Sequence, residues 1–200
     1  DLRADLVVQG AGRVAAIDQL DLAAANVEAG DKGVAVNAYL QSTSNPKIYA
    51  AGDAADTQGA PLTPVAVFEG KVAASNMLKG NRTKPDYSGV PSAVFTVPEL
   101  TRVGMLEQDA RETGHDIRVV ENDTGDWYSN LRVGESCAAT KVIIDKDSDT
   151  ILGAHLLGPE YGEIINFFGL AIRLGLTTSD LKKMVSVYPS VGSDLGSMLS

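Results

Sequence analysis

IYAAGD (Ile48–Asp53) and, one short loop later, LTPVA (Leu62–Ala66) decide how this chain is read. Ile48-Tyr49-Ala50-Ala51 is a short apolar run that predicts a buried strand, and it stops on the pair Gly52-Asp53. Thr63-Pro64 predicts a helix start. Threonine can cap a first turn, and proline is preorganised at the first helical position, where its missing N–H costs nothing. From Val65 to Leu78 the periodicity predicts a helix, with Val65, Phe68, Val72 and Met77 near one face and Gly80 at the C-terminal cap. An acid at the carboxyl end of a strand lies where open α/β sheets bind ligands. The free N–H groups of a helix start, together with its dipole, favour negative charge. Strand, Gly-Asp, loop and helix in this order suit a ligand with a polyhydroxyl chain and an atom that becomes anionic.

Upstream, Leu6-Val7-Val8 predicts a short buried strand that ends at Gly10 and Gly12. A chain that opens almost inside a strand reads as part of something longer. Residues 14 to 30 hold no long periodic helix. Val34-Ala35-Val36 and Tyr39-Leu40 alternate weakly, as a β segment does, and Thr43-Ser44-Asn45-Pro46 is turn chemistry. Downstream, residues 79 to 92 are rich in Gly, Pro and charge. They place a domain boundary between 1–88 and 89–200.

The second part has another rhythm. AVFTVP and DIRVVEN predict strands, LEQDARETG a short helix stopped by Gly114, and TKVIIDKDSDTILGAHLL a hairpin around a polar turn. GEIINFFGLAIRLGL, from Gly162, predicts a helix so apolar on all sides that it is covered on most of them. TTSDLKKMV starts another helix, with Thr or Ser at the cap and Asp180 in the first turn. The fold class is α/β (α+β): part of a dinucleotide-binding domain, then an antiparallel sheet with helices.

Composition narrows the function classes. The 200 residues are 44% hydrophobic and carry a formal charge of -9, from 17 Lys+Arg against 26 Asp+Glu. That acidity disfavours nucleic acid and anionic membranes, which need a basic footprint. No apolar run approaches the length that spans a bilayer, and the first residues show no signal-peptide pattern. A single cysteine, Cys137, rules out an internal disulfide and is compatible with a cytoplasmic setting.

The segments ADLVVQGAGR, TSNPKIYAAGDAA, LTPVAVFEGKVAASNML, FTVPELTRVGMLEQDAR and ILGAHLLGPEYGEIINFFGLAIRLGLT run in an order that resembles the C-terminal part of class I pyridine nucleotide-disulfide oxidoreductases. Glutathione reductase, dihydrolipoamide dehydrogenase and mercuric reductase belong to that family. The resemblance covers essentially the whole chain. It implies that residues 1–88 are the end of an NAD(P)-binding domain and the C-terminal part of an FAD-binding domain. Residues 89–200 become the dimerisation domain, which implies a homodimer through about 90–200. It implies FAD as cofactor, NAD(P)H as co-substrate and a small-molecule disulfide or related substrate. A flavin carries both a ribityl chain and a ring that becomes anionic. Asp53, with Gly52, is implied to contact the ribityl chain, and Leu62, Thr63, Pro64 and Val65 to face the ring.

Three things the chemistry needs are absent from these residues. No G-x-G-x-x-G follows an opening strand; GAGRVA has Gly10-x-Gly12 but Ala15 in place of the third glycine. No second fingerprint and no C-x-x-x-x-C pair occur. The 200 residues alone are therefore expected to be inactive in disulfide reduction, and a stand-alone, non-catalytic dimerisation module is the alternative. The family's acid–base histidine, with a glutamate five residues later, falls on Tyr188 and Ser193, with Asp194 one step further. A phenol ordinarily titrates at about pH 10, too high for a proton shuttle at neutral pH, though it can donate a hydrogen bond. Tyr188 and Asp194 are the candidate catalytic positions.

Other motifs read as structure. Asp145-x-Asp147-x-Asp149 lacks the Gly and Glu of a calcium loop, having Thr150 and Leu156 there, and reads as a hairpin turn. His155 reads as a packed strand residue, His115 as a loop residue, and no metal site is expected. Cys137 reads as a small buried residue. Trp127 and Tyr128 fit either core packing or contact with a partner subunit.

Overall fold

Period-two burial builds the larger sheet. The structure, a computed structural model that describes residues 3–200, divides into two units, Asp1–Tyr87 and Ser88–Ser200. The second holds five antiparallel strands: β4 (Ser92–Val94), β5 (Glu99–Gly104), β6 (Ile117–Asp123), β7 (Ala139–Asp145) and β8 (Ile151–Gly158), in the order β4-β5-β8-β7-β6. Thr101 of β5 and Thr140 of β7 both face Leu156 of β8, and Val142 faces Ala154. Val103, Thr140, Val142, Ile144, Ala154 and Leu156 are buried.

Against this face lies α4 (Tyr161–Leu174), which buries Tyr161, Ile164, Ile165, Phe168 and Ala171 and ends on Gly175 at φ 63°, the left-handed conformation that glycine adopts without strain. Its other face is open: Phe167, Leu170 and Leu174 are 37%, 53% and 61% exposed. Within this chain the sheet covers only one side of the helix, because its apolar residues wrap further round than the sheet can reach. A short helix α2 (Glu107–Glu112) covers part of the opposite sheet face through Ala110, packed with Ile117 and Ile143. The β7–β8 hairpin turns on Asp145, whose Oδ1 accepts from the N–H groups of Asp147 (3.1 Å) and Ser148 (2.9 Å). Helix α5 (Thr178–Leu181) has the expected cap: Thr177 Oγ1 accepts from Asp180 N–H at 3.0 Å, and the Asp180 carboxylate accepts back from Thr177. Strand β5 went unnoticed in the sequence because Thr101 and Val103 are its only buried residues.

The first unit has a small sheet in which β2 (Gly33–Ala35) lies between β1 (Ala29–Gly30), antiparallel, and β3 (Ala55–Asp56), parallel. Its long helix is α1 (Thr63–Lys79), stopped at Gly80 with φ 79°. The buried stripe of α1 is Val65, Glu69, Val72, Ala73 and Asn76, and Met77 is 62% exposed, so the face read from the sequence is rotated.

Three expected β segments change. Ile48–Ala51 makes only a short pairing with Leu40–Ser42, through Ser42 N–H to Ile48 C=O (2.9 Å) and Ala50 N–H to Leu40 C=O (3.0 Å). Tyr39-Leu40 is a turn, with Leu40 at φ 65°. Leu6, Val7 and Val8 form no strand and are 78–83% exposed. A strand needs ladder partners, and among the described residues none runs beside either segment at full length. No helix is long and apolar enough to cross a membrane among those described.

Candidate functional site

The turn after the apolar run is set by glycine. Gly52 sits at φ 64°, and a Cβ there would lie 2.7 Å from the Ala66 Cβ, so only glycine lets the turn close onto α1. The helix itself begins differently from expectation. Leu62 is the N-cap, Thr63 and Pro64 occupy the first two helical positions, and no side chain caps the turn. The first-turn amides therefore remain available to a ligand, as helix N-termini allow.

Gly52, Asp53 and Val65 line one cavity of about 440 Å3, together with Arg13, Ala55, Thr57 and Pro61. That is the size of a small-molecule site. The Asp53 carboxylate is half exposed and pairs with Arg13 Nη2 at 2.9 Å. The same nitrogen donates to Pro61 C=O at 2.8 Å and so ties the two ends of the 53–61 loop. Leu62, Thr63 and Pro64 do not line the cavity; they form the helix start beside it.

Behind the turn lies a group the sequence reading missed. Glu69 is fully buried. Its Oε2 accepts from Gly52 N–H at 2.6 Å, and its Oε1 from Thr57 Oγ1 at 2.8 Å and Tyr87 OH at 2.6 Å. Burial first, then the bond to Glu69, pushes the Tyr87 phenol up to about 12. The signal was present in the sequence: Glu69 falls on the 65, 72, 76 stripe of α1, where an apolar residue would be ordinary.

The residues fit the ring and ribityl part of a flavin. Asp53 offers a carboxylate for hydroxyl groups, the α1 start offers N–H groups for a developing anion, and Val65, Ala55 and Pro61 offer apolar walls. The sequence holds no G-x-G-x-x-G run to cradle a pyrophosphate.

The second unit places Tyr188 and Asp194 around α3 (Tyr128–Leu131) but does not join them to each other. Tyr188 is 75% exposed and stacks on Tyr128, with ring centroids 6.5 Å apart and planes at 19°. Asp194 accepts a hydrogen bond from Ser129 Oγ. Trp127 packs against the main core while Tyr128 stays exposed. Cys137, expected to be buried, is exposed, because it lies in the loop leading into β7; its backbone N–H donates to Glu135 Oε1 at 2.7 Å. His155 donates through Nε2 to the Met105 carbonyl at 3.1 Å, as a packed strand residue does. His115 lies 2.9 Å from Asp145. No cluster that could hold a metal occurs among the described residues.

Comparison with known proteins adds to this geometry. Residues 90–198 match the family model for the pyridine nucleotide-disulphide oxidoreductase dimerisation domain, and residues 1–70 match that for pyridine nucleotide-disulphide oxidoreductase. An "Uncharacterized 19.7 kDa protein in mercuric resistance operon" of Staphylococcus aureus is 51% identical over 180 residues, which are 90% of this chain and 100% of that protein. Mercuric reductase of the same organism is 34% identical over 195 residues, 97% of this chain but 35% of the reductase. The Cu(II) complex of the HOCl-induced flavoprotein disulfide reductase RclA from Escherichia coli superposes with a TM-score of 0.84 at 29% identity, over 95% of this chain and 43% of that one. The chain thus spans about a third of the mercuric reductase it matches and the full length of a much shorter relative. With a family match over residues 90–198 and relatives above 30% identity along nearly all its length, the chain belongs to the pyridine nucleotide-disulphide oxidoreductase family.

Proposed function

We propose that these residues supply the ring-side grip on FAD and the dimerisation face of an NAD(P)H-dependent disulfide oxidoreductase, and that they do not reduce disulfides by themselves. The observation that supports this best is the Gly52–Asp53 turn, closed onto the start of α1 over a cavity of about 440 Å3. Bound flavin would supply electron transfer between a pyridine nucleotide and a disulfide. Asp53 would hold ribityl hydroxyls, the first turn of α1 would face the ring, and Tyr188 would donate a hydrogen bond toward a partner subunit's site. Residues 1–88 would be the end of an NAD(P)-binding domain and the C-terminal part of an FAD-binding domain, and residues 89–200 the dimerisation domain of a homodimer. The redox cysteine pair has to come from elsewhere, because the 200 residues hold one cysteine.

Titration of the chain with riboflavin and with FAD, followed by flavin fluorescence, tests this. Without a pyrophosphate cradle the two should bind weakly and within about threefold of each other. Asp53→Ala should weaken both by roughly tenfold, the worth of a charge-assisted hydrogen bond. FAD binding far more tightly than riboflavin would overturn the assignment of the missing cradle. A second reading, a non-catalytic dimerisation module, is favoured by one observation: the chain spans the whole of the 19.7 kDa relative. A dimer that binds no flavin supports that reading over the first.

A further inference from the structure

We propose that Glu69 is the positioning residue of the Asp53 site: its buried carboxylate fixes the Gly52–Asp53 turn from behind and ties it to Thr57 and Tyr87. The inference rests on the reading that Asp53 binds a flavin's hydroxyl chain, and extends it to a buried residue at the edge of the same cavity.

The geometry carries the argument. A carboxylate with no exposed surface is costly unless its oxygens are satisfied. Here both are, by one backbone N–H and two hydroxyls within 2.6–2.8 Å. The backbone donor belongs to Gly52, the residue before Asp53, in the left-handed conformation that sets the direction in which Asp53 leaves the turn. The two hydroxyl donors come from opposite ends of the sequence around the cavity. Thr57 lies in the loop that follows Asp53 and also accepts from Gly59 N–H at 3.1 Å, while Tyr87 ends the unit. A Cβ on Gly59 would lie 2.7 Å from Glu69 Oε1 and 2.8 Å from both the Tyr87 ring and Val65, so the loop is pressed against this cluster. Four segments, Gly52, Thr57–Gly59, α1 and Tyr87, therefore meet at one side chain. An apolar residue of similar length would fill the space but leave the Gly52 N–H and two hydroxyls without an acceptor.

That contrast defines the test. Glutamine keeps the geometry: its carbonyl accepts from Gly52 N–H, and its amide donates to Thr57 and Tyr87, whose hydroxyls can reverse roles. Methionine keeps the volume but not the bonds. The full chain and the variants Glu69→Gln and Glu69→Met are compared by amide exchange at Gly52 and Asp53, by riboflavin titration, and by the tyrosinate absorbance that reports Tyr87. Positioning predicts that Glu69→Gln keeps Gly52 protected and riboflavin affinity within about threefold. Glu69→Met should expose the Gly52 amide and weaken riboflavin at least tenfold, with amides of β7 and β8 unchanged. In both variants the high-pH tyrosinate step should move down. Equal Gly52 protection and equal affinity in Glu69→Met would overturn the proposal, since filling the space would then suffice. If no riboflavin binds to the unaltered chain, the flavin reading fails by itself, and Gly52 exchange in Glu69→Met still decides whether Glu69 holds the turn.

Discussion

The open face of α4 makes a quantitative prediction about self-association. Full burial of a leucine contributes about 1.5–3 kcal/mol. Leu170 is 53% exposed and Leu174 61% exposed, so each retains about half of that, roughly 1 kcal/mol, to be gained against a partner. In a two-fold interface every substitution occurs twice. Leu170→Ala should therefore cost about 2 kcal/mol of dimer stability, a rise in Kd of roughly 30-fold. Pairing it with Leu174→Ala should approach a thousandfold if the sites add. Phe167, 37% exposed, extends the same apolar face. Sedimentation equilibrium from nanomolar to micromolar concentration measures the Kd. Circular dichroism melts serve as control, because exposed substitutions leave folding stability within about 0.5 kcal/mol. A double variant with an unchanged Kd would remove α4 from the interface. An unaltered chain that stays monomeric at micromolar concentration would refute the homodimer itself.

The remaining predictions concern the second unit. Backbone bonds from Ser148 first, then His115, hold the Asp145 carboxyl down at about 2. A depressed folded pKa stabilises above the unfolded value, about 3.9, and that stabilisation is lost as the pH falls toward 2. The melting temperature should thus drop across that window, and Asp145→Asn should flatten the drop; an unchanged acid limb would contradict the assignment. Thr177→Ala removes the α5 capping box and should cost about 1 kcal/mol, while Thr177→Ser should restore it. Denaturant melts of the three proteins decide this, and an alanine variant as stable as the serine one would show that the cap contributes nothing.

What could be read from sequence follows the locality of the physics. The α1 helix was legible from Thr63-Pro64 and Gly80, the β7–β8 hairpin from alternation around Asp145–Thr150, and the α5 cap from Thr177 and Asp180, since each signal lies within a few residues of its cause. Strand β5 was not, because only Thr101 and Val103 are buried and much of its pairing is with the distant β8, as Thr101↔Leu156 shows, beside the short β4. Leu6–Val8 misled for the complementary reason: an apolar run promises a strand, but only neighbours make one. In the candidate site, Gly52, Asp53 and Val65 were legible as a pattern. Glu69 was not, although a buried acid on an apolar stripe is itself a signal. The apolar residues of α1 alone point to a face that includes Met77, whereas the buried stripe includes the polar Glu69 and Asn76.

The surroundings of Tyr188 follow from a chain of contacts that no motif encodes. Tyr161, at the start of α4 and fully buried, shares a 2.9 Å hydrogen bond with Thr124 Oγ1. Asn130 Nδ2 donates to the Thr124 carbonyl at 2.8 Å and reaches the Tyr161 hydroxyl at 3.3 Å. Asn130 Nδ2 thus ties α3 to the end of α4, while the buried Asn130 Oδ1 finds no partner. From α3, the neighbouring residues Tyr128 and Ser129 reach outward to hold Tyr188 and Asp194. A short helix of four residues has little stability of its own, so its place comes from Asn130 and from Trp127 in the core. The exposed Tyr188 ring therefore rests on a helix tied to α4, the same helix whose open face the dimer is expected to cover. This explains how a residue 75% exposed to solvent can still be presented in a defined orientation. Asp194 is held to the same helix, since its Oδ2 accepts from Ser129 Oγ.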